Sequence, residues 1–101
     1  MKRLKVVVAG AGGKMGQSLI EGVLADKSLE LAGALDAKGS PAVGRKFGAV
    51  KVGTDIARAV AAGDVLIDFT RPEGTIEHLA ACARLGKSIV IGTTGLSEPL
   101  R

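Results

Sequence analysis

The stretch that decides the fold is VVVAGAGGKMGQSLI, Val6 to Ile20, in which an apolar run ends in four closely spaced glycines and continues into a helical pattern. The residues Leu4–Ala9 are apolar and β-branched, which predicts a strand buried on both faces. Fixing a glycine costs backbone entropy, so four together indicate that something must approach the backbone closely. The four are Gly10, Gly12, Gly13 and Gly16.

The composition is that of a small domain built around an aliphatic core. The chain has 101 residues, of which 47% are hydrophobic and 24% charged, so we expect one domain with a substantial core. Only 2% are aromatic, so the core must consist of Val, Ile, Leu and Ala. Such a core is typical of a parallel sheet covered by helices.

Charge and cysteine content exclude several classes of function. The net charge is +4, but the 14 Lys and Arg residues are scattered and no aromatic platform accompanies them, so no nucleic-acid partner is expected. No apolar stretch approaches the length that spans a bilayer, so no membrane partner is expected either. The one cysteine, Cys82, allows neither an internal disulfide nor a cysteine-based zinc site, and no other side chains have metal-ligand spacing. We therefore expect a reducing, cytoplasmic location and no metal.

Strands and helices alternate along the rest of the chain, which predicts a doubly wound, Rossmann-like α/β fold with about five parallel strands and helices on both faces. Thr54 is the expected cap of the second helix, and Gly86 predicts a left-handed end to the third. The predicted strands are Leu4–Ala9, Leu29–Leu35, Val50–Val52, Val65–Phe69 and Ser88–Ile91, and the predicted helices run from about Lys14 to Asp26, Thr54 to Ala62 and Pro72 to Leu85.

The glycine-rich turn lies between the first strand and the first helix, where a doubly wound fold binds the pyrophosphate of a dinucleotide. One glycine makes the tight turn, another lets the phosphate approach, and a third lets the helix pack close to the strand. The helix N-terminus then offers free N–H groups and a positive dipole to the anion. The match to G-x-G-x-x-G is incomplete, because Met15 occupies the third slot and Gly16 follows it.

An acidic residue strengthens this interpretation. Asp36 follows Gly16 by 20 residues, at the end of the second predicted strand, where a carboxylate can accept both hydroxyls of the adenosine ribose. A carboxylate there repels a 2′-phosphate, which Lys38, Arg45 or Lys46 would offset only in part. We expect NADH or NADPH as cofactor, with NADH bound at least as tightly.

The remaining polar candidates have plainer interpretations. His78 lies off the apolar stripe of the third helix and is expected to face solvent, without a catalytic role. Cys82 is expected to be a partly packed helix residue rather than a nucleophile. Asp64 is expected to end a turn, and Asp68 to bind N–H groups near the end of its strand. The apolar stripes are Met15, Leu19, Ile20, Val23 and Leu24 in the first helix and Ile76, Leu79, Ala80 and Ala83 in the third.

Three segments together resemble one known family. The motifs GAGGKMG, GALD and DFTRPEGTIEHLAACARLGKSIVIGTTGL look like the N-terminal domain of dihydrodipicolinate reductase, and the resemblance covers nearly the whole chain. That family makes tetrahydrodipicolinate for diaminopimelate and lysine biosynthesis, with NADH or NADPH as reductant. The pair DFTRPEGT and GKSIVIGTTG carries most of the specificity.

The resemblance also implies roles for individual residues. The turn would hold the pyrophosphate, Asp36 would take the ribose, and two later loops would lie beside the cofactor. The family often has an arginine after the acidic residue, where this chain has Ala37, so a strong preference for NADPH is not expected. The implied cofactor contacts are Gly10, Ala11, Gly12, Gly13, Lys14, Met15, Asp36, Phe69, Thr70, Arg71, Gly92, Thr93 and Thr94.

No catalytic residue is expected within these 101 residues. In the family a second domain carries the His-His-x-x-Lys-type motif, binds the substrate and forms most contacts of a homotetramer. Residues 1–101 therefore look like the dinucleotide-binding domain without that substrate domain, expected to bind cofactor weakly and to be inactive alone. Two alternatives remain: a stand-alone nucleotide-binding or regulatory module, and a structural fragment that keeps the fold but has lost the site.

Overall fold

A computed structural model of the chain describes residues 3–36, 39–48, 50–68 and 72–91. Within them strands and helices alternate as the sequence predicts. The elements in chain order are β1 (Leu4–Ala9), α1 (Lys14–Ala25), β2 (Leu29–Leu35), β3 (Lys46–Phe47), β4 (Val50–Lys51), α2 (Ile56–Ala62), β5 (Val65–Asp68), α3 (Pro72–Leu85) and β6 (Ser88–Ile91).

The main sheet has four parallel strands in the order β2-β1-β5-β6, which confirms the parallel α/β fold. The prediction of a fifth strand in this sheet at Val50–Val52 is wrong. Val50 and Lys51 instead pair antiparallel with β3, because Gly48, with φ +61°, lets the chain reverse. Among the described residues of this segment, Gly53 alone joins the edge of the main sheet, through a parallel bridge to Leu35.

Helices cover both faces of the sheet, as predicted. Because side chains alternate along a strand, β1 contributes to two separate cores. One core lies under α1 and the other under α2 and α3. The first consists of Val6, Val8, Ala11, Ile20, Val23, Leu31, Ala34 and Val52, and the second of Val7, Ala9, Leu35, Val60, Leu66 and Cys82.

The observed end of α3 confirms the prediction from the sequence, but the observed start of α2 does not. Asp55, not Thr54, caps α2, since the Asp55 side chain accepts a hydrogen bond from the backbone N–H of Arg58. Gly86 ends α3 in the left-handed conformation, with φ +70°. The N–H of Lys87 then donates to the carbonyl oxygen of Cys82 at 2.8 Å, which completes a Schellman motif.

The buried helix faces also differ from the predicted stripes. In α1 the residues Ile20 and Val23 are buried, but Met15 and Leu24 are exposed. In α3 the predicted stripe is wrong over its described part, because Leu79, Ala80 and Ala83 are exposed. The face against the sheet is formed by His78, Ala81 and Cys82. Ile76 belongs to the part of α3 whose side chains lie outside the described residues.

Candidate functional site: the glycine turn and Asp36

The glycine turn is fastened to the end of β2. The N–H groups of Gly10 and Ala11 both donate to the carbonyl oxygen of Leu35, at 2.9 and 3.0 Å, and Gly13 N–H donates to the Gly10 carbonyl at 3.1 Å. Gly10 has φ +87°, a backbone conformation that residues other than glycine rarely adopt. Gly10 is therefore the tight-turn glycine.

Two further glycines are required by close approach. A Cβ on Gly16 would overlap the carbonyl oxygen of Gly10, so Gly16 allows α1 to pack directly on the turn. A Cβ on Gly12 would overlap Oδ2 of Asp36 and lie 2.8 Å from Cβ of Ala42. A Cβ on Gly13 would meet only ordinary contacts. The missing side chain of Gly12 thus lets the turn rest against the acidic residue.

The N-terminus of α1 opens onto this turn. Its N-cap is Gly13, in an extended conformation, and within the described residues no side chain caps the helix. The first turn of α1 contains no acidic residue. The Gln17 side chain donates to the carbonyl of Gly12 at 3.1 Å, which helps to fix the turn. Uncapped N–H groups and the helix dipole make such an end suited to an anion.

Asp36 lies beside the turn, as its spacing from Gly16 predicts. Its Oδ2 accepts hydrogen bonds from Gly12 N–H at 2.8 Å and from the Ser40 hydroxyl at 3.0 Å. The Ser40 oxygen in turn accepts from the N–H of Ala42 at 3.2 Å. Sequence reasoning missed Ser40, although serine before proline in the loop GSPAVG is typical of a side chain that bonds the backbone two residues later.

A second polar cluster lies on the other face of the sheet, under α3. His78 is only 6% exposed, so the prediction that it faces solvent is wrong. Its Nδ1 lies 3.1 Å from Oδ2 of Asp68, which is fully buried. Cys82 is also buried, and burial, followed by the negative charge of Asp68, raises the pKa of its thiol. A raised pKa opposes thiolate formation, in keeping with the expectation that Cys82 is not a nucleophile.

The amino-acid sequence matches one known family over nearly its whole length. Residues 4–100 match the family described as dihydrodipicolinate reductase, N-terminus. The chain belongs to this family. Relatives named 4-hydroxy-tetrahydrodipicolinate reductase include one from Burkholderia pseudomallei (strain 1710b), 52% identical over 98% of this chain, and one from Cupriavidus metallidurans, 50% identical over 91% of it. The chain spans about two fifths of the length of these relatives, 40% and 37% respectively.

Solved structures give the same fold. The dipicolinate-bound dihydrodipicolinate reductase from Paenisporosarcina sp. TG-14 aligns with a TM-score of 0.77 and 29% identity, over 92% of this chain and 38% of that one. RSP, crystallised with β-NADH, aligns with a TM-score of 0.72 over 98% of this chain and 56% of that one. At 19% identity the second likeness shows the fold alone.

Several site residues implied by the resemblance to the dihydrodipicolinate reductase family lie outside the described residues, as do Ala37 and Lys38. Of the described ones, Lys14 and Met15 begin α1 with exposed side chains. Arg45 stacks over the Phe47 ring, with its guanidinium carbon 5.6 Å from the ring centroid, and Lys46 is exposed on β3. The residues outside the description are Phe69, Thr70, Arg71, Gly92, Thr93 and Thr94.

The described part of this dihydrodipicolinate reductase family member offers neither a cluster of metal ligands nor a membrane-spanning helix. Within residues 3–36, 39–48, 50–68 and 72–91, no group of three or more His, Cys, Asp or Glu side chains could hold a metal ion. Over the same ranges, no helix is both long and apolar enough to cross a membrane.

Proposed function

We propose that residues 1–101 are the NAD(P)H-binding domain of a 4-hydroxy-tetrahydrodipicolinate reductase. The observation that carries this proposal is the hydrogen bond from Gly12 N–H to Asp36 Oδ2, next to the N-terminus of α1, which no described side chain caps. A carboxylate beside a glycine turn at a helix N-terminus is the arrangement that binds the ribose and pyrophosphate of a dinucleotide in doubly wound folds, and this supports the proposal. The reductase names of the relatives support the proposed reaction, in which hydride passes to a dihydrodipicolinate-type substrate to give tetrahydrodipicolinate.

The described residues fit a dinucleotide. Gly10 adopts a conformation that a bulkier residue would strain, and the extended Gly13 leaves the first N–H groups of α1 without a side-chain cap. We assign the pyrophosphate to Gly10–Met15 and the adenosine ribose to Asp36. The bound nicotinamide supplies the hydride, and the protein positions it. Further proposed contacts, on the family resemblance, are Phe69, Thr70, Arg71, Gly92, Thr93 and Thr94.

Asp36 also bears on the choice of cofactor. Its carboxylate suits the free diol of NADH and repels the 2′-phosphate of NADPH. The next residue is Ala37, where the family often has an arginine. We propose that NADH binds at least as tightly as NADPH.

The chemistry of the whole enzyme requires more than these residues. We propose no catalytic residue in this chain, and assign substrate binding, acid catalysis and most tetramer contacts to the part of the relatives that the match does not cover. A cytoplasmic location, with neither nucleic acid nor membrane as partner, fits a biosynthetic reductase. The chain alone is expected to bind cofactor weakly and to reduce no substrate, which an assay with substrate and NADH would check.

The test is a titration of the chain with NADH and with NADPH, followed by nicotinamide fluorescence. The chain has no Trp and no Tyr, so the protein contributes almost no background. A saturable rise with NADH is expected, and Gly12→Val should abolish it, because the added side chain would displace Asp36 and Ala42. Gly22→Ala is the matched control, since a Cβ there meets nothing within 4 Å. Absence of NADH binding by wild-type protein with a folded circular dichroism spectrum would reject the proposal.

The alternative of a stand-alone regulatory module draws no support from relatives that carry a reductase name. Such a module would bind ADP-ribose as well as NADH, because it has no use for the nicotinamide. Substitutions at Thr93 and Thr94 would then leave NADH affinity unchanged. The reductase domain predicts tighter binding of NADH than of ADP-ribose and a loss of NADH affinity in those variants.

A further inference from the structure

The Ser40 hydroxyl lies between the glycine turn and Asp36, and the proposed function gives it no contact with the cofactor. Its Oγ is 3.0 Å from Oδ2 of Asp36, and a Cβ built on Gly12 would lie 3.4 Å from the same Oγ. All three residues are partly exposed to solvent. The hydroxyl, the carboxylate and the turn therefore border one small space that a ligand can enter.

The backbone fixes the oxygen of this hydroxyl, but the hydrogen can rotate. Ser40 Oγ accepts a hydrogen bond from the N–H of Ala42 at 3.2 Å, and the Ser40 carbonyl oxygen accepts one from the N–H of Val43 at 3.1 Å. A serine hydroxyl has a single hydrogen, which turns about the Cβ–Oγ bond to suit its acceptor. In the chain without ligand this hydrogen is donated to Asp36, and a phosphate oxygen that comes within reach can accept it instead.

The proposed ribose site brings the 2′ position of the adenosine ribose next to Ser40. In doubly wound folds the carboxylate after the second strand accepts the ribose 2′-hydroxyl, so the 2′ oxygen would lie within hydrogen-bond distance of Asp36. NADPH carries a phosphate at that position, which the charge of the carboxylate repels. The Ser40 hydroxyl, 3.0 Å from the same carboxylate, is an uncharged donor that can bind the phosphate there.

The basic residues of this region are less well placed to bind a 2′-phosphate. The guanidinium of Arg45 stacks over the ring of Phe47, with 5.6 Å between its carbon and the ring centroid. Lys46 lies on β3, in the hairpin, and the residue directly after Asp36 is an alanine. Among the described side chains of residues 39–48, Ser40 is the one that donates a hydrogen bond to Asp36.

We propose that Ser40 is a specificity-determining residue, whose hydroxyl turns from Asp36 to the 2′-phosphate and so allows NADPH to bind. NADH requires no such rotation, since its 2′-hydroxyl donates to the carboxylate and leaves the bond from Ser40 in place. The inference rests on the proposed dinucleotide function and adds to it a direct contact with one of the two cofactors. It is compatible with NADH binding at least as tightly as NADPH.

The test is the ratio of the Kd for NADPH to the Kd for NADH, measured by nicotinamide fluorescence in wild type, Ser40→Ala and Ser40→Thr. A hydrogen bond to a charged group contributes about tenfold or more to affinity, so Ser40→Ala should raise the Kd for NADPH by about that factor. The Kd for NADH should rise only about threefold, because Gly12 still supports Asp36. Ser40→Thr keeps the hydroxyl and suits the extended backbone favoured before Pro41, so it should retain the wild-type ratio.

A second background separates direct contact with the phosphate from support of Asp36. When Ser40→Ala is added to Asp36→Ala, the Kd for NADH should not change further, but the Kd for NADPH should still rise about tenfold. A residue that acts only through Asp36 would affect neither cofactor in this background.

Ser28 provides the matched control. Its hydroxyl also donates to a carboxylate, Oδ1 of Asp26 at 2.7 Å, but this pair precedes β2, at the end of the strand opposite to Asp36. Ser28→Ala therefore removes the same kind of hydrogen bond at a distance from the proposed site. It should leave the Kd values for both cofactors unchanged.

The outcomes distinguish this inference from the function on which it rests. If folded wild type binds neither NADH nor NADPH, the dinucleotide site is rejected and the role of Ser40 with it. If wild type binds NADH alone, or if Ser40→Ala weakens both cofactors equally or neither, the role of Ser40 is overturned and the dinucleotide site stands. The same holds if Ser40→Thr fails to retain the wild-type ratio, or if Ser40→Ala has no effect on NADPH in the Asp36→Ala background.

Discussion

The backbone N–H of Gly12 lies 2.8 Å from Oδ2 of Asp36, so the carboxylate proposed to bind the ribose also holds the glycine turn in place. The Ser40 hydroxyl donates to the same oxygen at 3.0 Å. The glycine turn, the Asp36 carboxylate and the loop that contains Ser40 thus form one hydrogen-bonded unit before any ligand binds. A preorganised unit of this kind reduces the ordering cost of binding.

This unit predicts that Asp36 and Ser40 act together. Asp36→Ala should weaken NADH binding by more than about tenfold, because it removes the ribose acceptor and the support of the turn. Ser40→Ala should weaken it only a few-fold. Adding Ser40→Ala to Asp36→Ala should have no further effect, since the partner of the hydroxyl is already gone. Fluorescence titration of the four proteins measures this cycle, and unchanged NADH affinity in Asp36→Ala would remove Asp36 from the site.

The close packing of α1 on the turn predicts opposite effects for two glycine substitutions in one helix. Gly16→Ala should destabilise the fold by more than about 2 kcal/mol, because its Cβ would overlap the Gly10 carbonyl oxygen and force the helix away. Gly22→Ala meets no atom within 4 Å and should stabilise the chain by about 0.5–1 kcal/mol. Urea unfolding followed by circular dichroism gives both values. Equal effects at the two positions would contradict the described packing.

The cap of α2 is open to a similar test. Asp55 accepts a hydrogen bond from Arg58 N–H at 3.1 Å, so Asp55→Ala should lower the free energy of unfolding by about 1 kcal/mol. Thr54→Ala is the matched control and should change it by less than about 0.5 kcal/mol. The reverse order of the two losses would restore Thr54 as the cap.

The glycine turn and Asp36 are predictable because their physics is local. A turn between a buried strand and a helix needs glycine where the backbone has φ +87°, as at Gly10, and the end of the next strand has a fixed place beside it. The roles of Gly16 and Asp36 can be predicted in the same way, because Gly16 lies at the start of α1 and Asp36 directly after β2. Ser40 does not, because its contact depends on how a loop folds back onto Asp36.

The errors arise where small or polar side chains carry the packing. Alanine is nearly neutral toward burial, so Ala80 and Ala83 give no reliable direction to α3. The helix instead buries His78, whose Nδ1 lies 3.1 Å from Oδ2 of Asp68 in β5, together with Ala81 and Cys82. Similarly, Val50 has the apolar character of a sheet strand but follows the turn at Gly48 into a hairpin. Periodicity counts apolar residues and cannot detect a partner supplied by another element.

The buried thiol of Cys82 gives a prediction about pH. Burial, followed by the nearby negative charge of Asp68, raises the pKa of Cys82 in the folded chain, whereas the thiol of an unfolded chain has a pKa of about 8.5. Above that pH the unfolded chain binds fewer protons than the folded one, so this contribution to stability is complete below about pH 8.5 and is lost as pH rises. The advantage of wild type over Cys82→Ala in free energy of unfolding should therefore shrink between about pH 7 and about pH 9.5. Urea titrations of both proteins across this range measure it.

The same burial predicts slow chemical modification. Cys82 is the single cysteine and is only 1% exposed, so iodoacetamide should react with it in the folded chain far more slowly than in urea. The rate should follow opening of α3 and rise in His78→Gln, which loses the bond to Asp68. Mass spectrometry of timed samples counts the alkylated fraction directly. Alkylation of the folded chain as fast as in urea would place the thiol at the surface and remove the basis for the raised pKa.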